Sequence, residues 1–258
     1  ITEFGDYEFI FEAVYCGQLD TIVVDFNPTP AAVDLLDQAI CPGTDLVFDA
    51  GNEDIGANYT WSQSGATTQV LELDSITDSV GIQVTVTNDC GTTSGAATID
   101  VHNLTVIGQV EVCLADDADL TAVYSTSGGS WSYTGPSGGT ATFSPNMSSA
   151  TPSVSVDQIG TYEFVFTDDQ CGMMKSWDVT FVPAPTVVIT ADTNRICVEQ
   201  DIVLSYSINT SIYDDLSWSP FGLTQDTIII AGTDSMAFNL TDTMFHVTAS
   251  ISNFCGTD

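Results

Sequence analysis

The 258-residue chain carries 35 acidic residues against two basic ones, Lys175 and Arg195, for a formal net charge of −33. A surface of that sign repels nucleic acid and anionic lipid alike, so a nucleic-acid binder is excluded. Hydrophobic residues nevertheless make up 43% of the chain, and their alternation assigns the acids to the surfaces of folded units and not to a solvated tail. Of the acids 27 are Asp and 8 are Glu; Asp favours turns and loop ends while Glu favours helices, which points to an all-β chain. No apolar run approaches about 18 residues, so direct membrane insertion is not expected. Ile1 opens no signal peptide, so any export signal is expected outside the sequence.

From the N-terminus, GDYEFIFEAVYCGQLDTIVVDF matches GTYEFVFTDDQCGMMKSWDVTFV further along the chain, so residues 1–27 read as the C-terminal part of a truncated repeat. Three further blocks follow, each with a cysteine near either end and a tryptophan between: ICPGTDLVFDAG to TNDCG, VCLADDADLTAVY to TDDQCG, and ICVEQDIVLSY to SNFCG. They divide the chain into repeats at 28–103, 104–183 and 184–258, the last lacking its final strand. A sequence that enters and leaves mid-repeat is expected to be a section of a longer array. Period-two runs at Asp45–Asp49, Gly81–Thr87, Tyr162–Phe166, Trp177–Phe181 and His246–Ile251, separated by Gly, Asn, Asp and Ser clusters, predict short strands of β-sandwiches. Ala31–Gln38 offers at most a turn of helix. The Pro-marked junctions Asn27–Pro30 and Val182–Pro185, with Asp100–Asn103 as the equivalent without proline, are short and stiff, so end-to-end repeats are expected. Seven cysteines at recurring places predict disulfides formed in an oxidising compartment.

The Gly-x-Tyr pairs Gly5/Tyr7 and Gly160/Tyr162 look like the tyrosine corner of immunoglobulin-like sandwiches. Trp61, Trp131 and Trp218 stand where the core tryptophan of strand C belongs, so all five side chains are expected in the core. Units reading C-x-G…W…G-x-Y-x-F…x-C-G, joined by Pro-rich linkers, resemble the immunoglobulin-like and PKD-like repeats of giant cell-surface proteins of Bacteroidota, the group with gliding motility and type IX secretion. The resemblance covers the whole chain, and its motifs are structural. It implies an extracellular, cell-surface location and a part in adhesion or surface filaments.

In immunoglobulin domains the disulfide joins the middles of strands B and F. Here Phe48 and Phe164 take those two places, and Cys41 and Cys171 are displaced seven residues outward from them. At about 3.3 Å per residue the cysteines of one unit stand some 40 Å apart, against a disulfide Cα separation of roughly 6 Å. Bridges between consecutive repeats, Cys41–Cys171 and Cys113–Cys255, satisfy this geometry, with Cys16, Cys90 and Cys197 pairing to repeats beyond the sequence. A different sandwich topology leaves open one bridge per unit, Cys41–Cys90, Cys113–Cys171 and Cys197–Cys255; bridges between laterally packed chains are a third option.

Candidate sites are few. Oxygen-rich loops at Asp49, Glu53 and Asp54, at Asp116, Asp117 and Asp119, and at Asp214 and Asp215 offer hard ligands for calcium, although none has an EF-hand or RTX spacing and a solvated acidic surface explains them as well. No other cofactor is expected. Asp-Ser/Thr followed by a small or apolar residue, the pattern associated with O-glycosylation in Bacteroidota, marks Thr21, Ser75, Ser79, Thr227, Ser235 and Thr243; strand-entry chemistry is the alternative. With His102 in a linker and His246 in a strand position, no Ser-His-Asp or Cys-His arrangement exists, and the singly placed cysteines form no zinc motif, so an enzyme is not expected. Trp177 beside Met173 and Met174 reads as exposed, a candidate lateral contact in a homo-oligomeric fibre.

The chain thus reads as a shaft section of a secreted cell-surface adhesin or extracellular filament mediating attachment in gliding or in prey or host contact, its partners being neighbouring repeats and an unidentified surface ligand. The alternative is a module whose loops bind a glycan or protein, for which the stretch Gly128–Gly139, with Trp131 and Tyr133, is the single aromatic, glycine-rich place. An accessory domain of a secreted hydrolase is a third reading.

Overall fold

A computed structural model describes residues 3–53, 56–194, 200–219, 222–230 and 247–258, and the chain divides into two compact units, Ile1–Asn103 and Leu104–Asp258. In the first unit, β1 (Gly5–Ala13) and β2 (Gln18–Phe26) form an antiparallel hairpin. There follow β3 (Gln38–Ile40), β4 (Thr44–Asp49), β5 (Asn58–Trp61), β6 (Val70–Ile76), β7 (Val80–Asn88) and β8 (Gly91–Val101). A sheet ordered β3-β8-β7-β5 and the pair β4-β6 close on Phe48, Trp61, Leu71 and Val84. Residues 31–37 are extended without helix.

The second unit opens with β9 (Leu104–Gly108), β10 (Glu111–Cys113), β11 (Ala118–Tyr124), β12 (Gly129–Thr134), β13 (Ala141–Ser144), β14 (Ser153–Val156), β15 (Gly160–Asp168) and β16 (Met174–Val182). Their two sheets, β10-β16-β15-β12 and β13-β14-β11-β9, enclose one core. A further sandwich is built from β17 (Val187–Ala191), β18 (Ile202–Ile208), β19 (Asp215–Ser219), β20 (Thr227–Ile230), β21 (Thr248–Asn253) and β22 (Gly256–Thr257), as β17-β18-β20 and β19-β21-β22. The fold is all-β, in tandem immunoglobulin-like sandwiches: a short parallel strand (β3 or β10) on the last strand, then antiparallel neighbours across two sheets. The strand expected at His246–Ile251 is β21, displaced to Thr248–Asn253, and His246 lies outside the described residues.

Aromatic packing holds each core. Trp61, Trp131 and Trp218 are buried, and each indole N–H donates to a backbone carbonyl, of Thr68, Ser149 and Gln225 respectively. In β15 the period-two series Tyr162, Phe164, Phe166 is fully buried, and Trp131 meets Phe166 edge-on at 5.2 Å. Three glycines make room for that series: a Cβ at Gly129 would collide with the Phe166 ring, at Gly135 with the Tyr162 ring, and at Gly139 with the Tyr162 hydroxyl. The stretch Gly128–Gly139 is therefore β12 and its exit, shaped by core packing, which corrects its reading as a binding loop. Trp177 is likewise corrected: it is partly buried against the same core and donates its indole N–H to the Gln109 carbonyl at 3.0 Å.

The acids are used locally. Asp37, Asp45 and Asp157 accept backbone N–H bonds from Thr98, Ser75 and Thr140, each at 2.7 Å, and Asp157 also accepts the Thr140 hydroxyl at 2.8 Å. An aspartate is short enough to reach a backbone amide across a strand end, and a charge-assisted bond ties the two segments. The Thr98 amide holds the Asp37 carboxyl below its ordinary range, and the Thr140 amide and hydroxyl do so for Asp157.

Two expectations follow from this packing. Gly129→Ala and Gly135→Ala, which overfill a closed core, should each destabilise the sandwich by about 1–3 kcal/mol in urea unfolding, while Gly81→Ala, whose Cβ meets open space, should change it little. Because the Asp37 and Asp157 pKa values are depressed on folding, their contribution is present above the ordinary value of 3.8 and lost as pH falls through the folded values. An Asp37→Asn/Asp157→Asn variant should hence be less stable than the parent at neutral pH, with the gap closing as pH falls below 3.8 through the depressed folded values; unfolding titrations at stepped pH read this directly.

Candidate interaction site at the cysteine poles

The cysteines fall at strand junctions. Cys41 stands between β3 and β4 and Cys113 ends β10, while Cys90, Cys171 and Cys255 occupy the turns β7–β8, β15–β16 and β21–β22. Each turn cysteine is held by an Asn or Asp two or three residues earlier: the Cys90 N–H donates to Asn88 Oδ1 at 2.9 Å, Cys171 N–H to Asp168 Oδ1 at 2.7 Å, and Cys255 N–H to Asn253 Oδ1 at 2.8 Å. The asparagine amides then reach back to the linker, Asn88 Nδ2 to the Pro28 carbonyl at 2.9 Å and Asn253 Nδ2 to the Pro183 carbonyl at 3.2 Å. One side chain thus fixes the cysteine and clamps the Pro-marked entry of its own repeat. Asp168, buried at 1% exposure, has no amide to donate and gathers the N–H groups of Cys171, Met173 and Gln170 instead. Burial opposes its charge, yet these three donors outweigh burial and leave the carboxyl below its ordinary range. Asn88, Asp168 and Asn253 escaped the sequence reading; the signal was present as Asn or Asp ahead of each Cys-Gly pair.

Cys113 and Cys255 are joined by a disulfide with Cα atoms 5.5 Å apart, closing a separation of 142 residues between the two sandwiches of the second unit. This leaves neither cysteine for a bridge within its own repeat. Cys113 pairs in register with Val182 on β16, and Cys255 Sγ lies 3.9 Å from the Val182 carbonyl oxygen, so the linker strand is the platform on which the bridge forms. Cys41 and Cys171 are also disulfide-bonded. Cys16 and Cys90 are exposed free thiols, and Cys197 lies outside the described residues.

The three acidic loops offered to calcium differ in the partners their carboxylates find. Among the described residues no three of Asp, Glu, His and Cys gather to hold a metal ion. Asp49 accepts from the Gly51 amide at 2.8 Å and from Gln69 Nε2 at 2.9 Å, and Glu53 accepts from the same Gln69 nitrogen at 3.0 Å. Asp119 accepts the Ser153 hydroxyl at 2.7 Å, while Asp116, Asp117, Asp214 and Asp215 stand exposed; Asp54 lies outside the described residues.

Of the glycan acceptors, Thr21, Ser75, Ser79 and Thr227 are exposed on or beside strands, and Ser235 and Thr243 lie outside the described residues. Ser79 is tied into structure, donating to Asp100 Oδ1 at 3.2 Å and accepting the Val101 N–H at 2.9 Å. Both tyrosine corners are formed, Tyr7 Oη donating to the Glu3 carbonyl at 3.1 Å and Tyr162 Oη to the Gln158 carbonyl at 3.3 Å. His102 is buried at the end of the first sandwich and its backbone N–H donates to the Ile40 carbonyl at 2.8 Å.

No protein-family model and no curated protein matches the chain. Among solved structures it is similar to the N-terminal eight Ig domains of Down Syndrome Cell Adhesion Molecule, at 12% identity over 98% of this chain and 38% of that one, with a TM-score of 0.40. It is similar also to titin domains I67–I69, at 12% identity over 89% and 94% with a TM-score of 0.39. For the Ig1–Ig3 ectodomain of mouse nectin-like molecule 4 the values are 11%, 86% and 94%, with a TM-score of 0.36. The immunoglobulin-like build of this chain stands on the strand order and register described above.

Proposed function

We propose that this chain is a section of the shaft of a long, secreted cell-surface adhesin or extracellular filament of the Bacteroidota type, exported by type IX secretion, and that its work is mechanical. In this reading residues 1–27, 28–103, 104–183 and 184–258 are successive immunoglobulin-like repeats or parts of them, whose partners are the neighbouring repeats and whose distal element makes the attachment. The observation that carries the reading is the Cys113–Cys255 bridge, which staples two consecutive sandwiches instead of closing one. Cys41 and Cys171 are each disulfide-bonded and stand at junctions equivalent to those of Cys113 and Cys255, which supports reading them as the next staple of the same kind. The free thiols Cys16 and Cys90, together with Cys197, continue the ladder to further repeats.

A staple of this sort changes how tension travels. Load entering at one end crosses from Cys113 to Cys255 through sulfur, and the 142-residue separation between them is shielded. The chain-entropy model gives such a loop about 5 kcal/mol of stabilisation as an upper figure. Assembly of several chains into a fibre needs the −33 charge to be offset by cations or by glycans at the exposed Thr21, Ser75, Ser79 or Thr227.

Pulling the full chain by its ends in a force spectrometer tests the reading. The oxidised chain should stop extending at least about 500 Å short of the reduced one, because the Cys113–Cys255 bond alone shields 142 residues at about 3.5 Å each and a second staple adds to that. Equal extension with and without reductant would sink the mechanical role. Non-reducing peptide mapping of the same material should join Cys41 to Cys171, and a Cys41–Cys90 peptide would overturn the ladder.

A further inference from the structure

The hairpin β1–β2 repeats β15–β16 in detail. At an offset of 155 residues the registers coincide, Gly5↔Phe26 with Gly160↔Phe181, Tyr7↔Val24 with Tyr162↔Val179, and Phe9↔Ile22 with Phe164↔Trp177. Gly5 and Gly160 share φ values of 129° and 131°. Tyr7 meets Phe26 edge-on at 5.4 Å as Tyr162 meets Phe181 at 5.6 Å. Burial is what differs: Phe164 and Phe166 are at 0% exposure, whereas Phe9 and Phe11 stand at 45% and 72%, with Ile22 at 63%. Three large apolar side chains on one face of a two-stranded ribbon form an interaction surface whose complement the chain itself displays elsewhere.

That complement has specific parts. In the β15–β16 sandwich, β12 lies antiparallel along β15 with Trp131 opposite Phe166, and β10 lies parallel along β16 with Cys113 opposite Val182. Cys113 then bonds to Cys255, whose Sγ lies by the Val182 carbonyl. The same offset puts Asn27 in the place of Val182, and Cys90 Sγ lies 3.2 Å from the Asn27 carbonyl oxygen as an exposed free thiol. The receiving half of the staple is thus assembled beside the uncovered face.

We infer that the β1–β2 face and Cys90 together dock one segment, the polypeptide immediately N-terminal to Glu3. It would supply an antiparallel strand with an aromatic residue opposite Phe11 and a short strand parallel to β2 that ends in a cysteine opposite Asn27 and bonds to Cys90. Attachment in the same polypeptide is favoured by the tyrosine corner: Tyr7 Oη holds the Glu3 carbonyl as Tyr162 Oη holds that of Gln158, so Glu3 stands to β1 as Gln158 stands to β15. The covalent step is thiol–disulfide exchange. Cys90 and the incoming cysteine lose two protons and two electrons to a small-molecule disulfide such as oxidised glutathione, which leaves as two thiols while the protein S–S bond forms. The inference deepens the repeat reading above.

The test extends the full chain at Ile1 with a copy of its own residues 104–155, which preserves the 155-residue offset, and refolds it with oxidised glutathione. Peptide mapping should join the added copy of Cys113 to Cys90, iodoacetamide labelling of Cys90 should fall at least about tenfold, and β1 amides should gain exchange protection. Phe11→Ser should abolish that protection in the extended chain and leave the Tm of the unextended chain unchanged. Cys90 labelled as fast as before in a folded extended chain overturns the inference. Should the extension not fold, mapping of the natural polypeptide decides: Cys90 joined to a cysteine N-terminal to Ile1 supports the docking, and Cys90 free or joined to a second copy overturns it. The labelling and the pulling measurement read different bonds, so each reading can fail alone.

Discussion

In the sandwich of β9–β16 the contact between Trp131 and the aromatic face of β15 is the constraint on which the rest depends. In immunoglobulin domains that packing leans on a disulfide between the sheets; here Phe48 takes the strand-B place in one sandwich and Phe164 the strand-F place in another, each buried in its own core at 6% and 0% exposure. A phenylalanine supplies by burial, about 1.5–3 kcal/mol, a large part of what the cross-link would give. The sandwich is then closed without sulfur, and the cysteines are released to the strand junctions. Glycines at 129, 135 and 139 are the counterpart of that choice, since ring faces packed this closely tolerate no Cβ opposite them.

Charge is handled by the same economy of short reach. With two basic residues the chain has almost no internal counter-ions, so its carboxylates turn to backbone N–H groups, which carry partial positive charge and need no partner side chain. This explains the preponderance of Asp: at one methylene shorter than Glu, it reaches the amide across a strand end, as Asp45 does to Ser75 and Asp157 to Thr140. Asn88 and Asn253 extend the device, because an amide side chain accepts from the cysteine N–H and donates to the linker carbonyl at once. Asp168 can do half of this, and accordingly turns inward to three amides.

Much of this was legible in the sequence. Period-two alternation located β4, β7, β15 and β16 to within a residue or three, because a strand buried on one face has to alternate. Spacing from Trp61 marked Phe48 as the missing cysteine's place. What stayed hidden were roles that composition mimics. Glycine beside tryptophan and tyrosine looks the same whether a loop is free or whether, as at Gly129 and Gly135, an opposing ring fills the space. Clustered Asp does not reveal its own partners, and at Asp49 and Glu53 one of them is the side-chain amide of Gln69, twenty and sixteen residues away. Trp177 broke the alternation pattern of its strand and so read as exposed, when its indole N–H is anchored to Gln109 from a different part of the chain.

Placing the bond between repeats and not within them has a mechanical logic that follows from the electrostatics. Like-charged modules repel, and at physiological ionic strength that repulsion reaches only about 8 Å, so it acts most strongly where neighbours meet. A noncovalent junction made of short linkers and a few hydrogen bonds would be the weakest point under tension. In the second unit the Asn253 clamp on Pro183 and the Cys113–Cys255 bridge converge on this linker, Val182 carrying the register contact with Cys113 and lying against the Cys255 sulfur. That junction thereby becomes covalently secured with no disulfide inside either core. Under the mechanical role proposed above, a sandwich spanned by such a bond can stay as modestly stable as its small core allows, because unfolding it under load releases little length until the sulfur bond itself is broken.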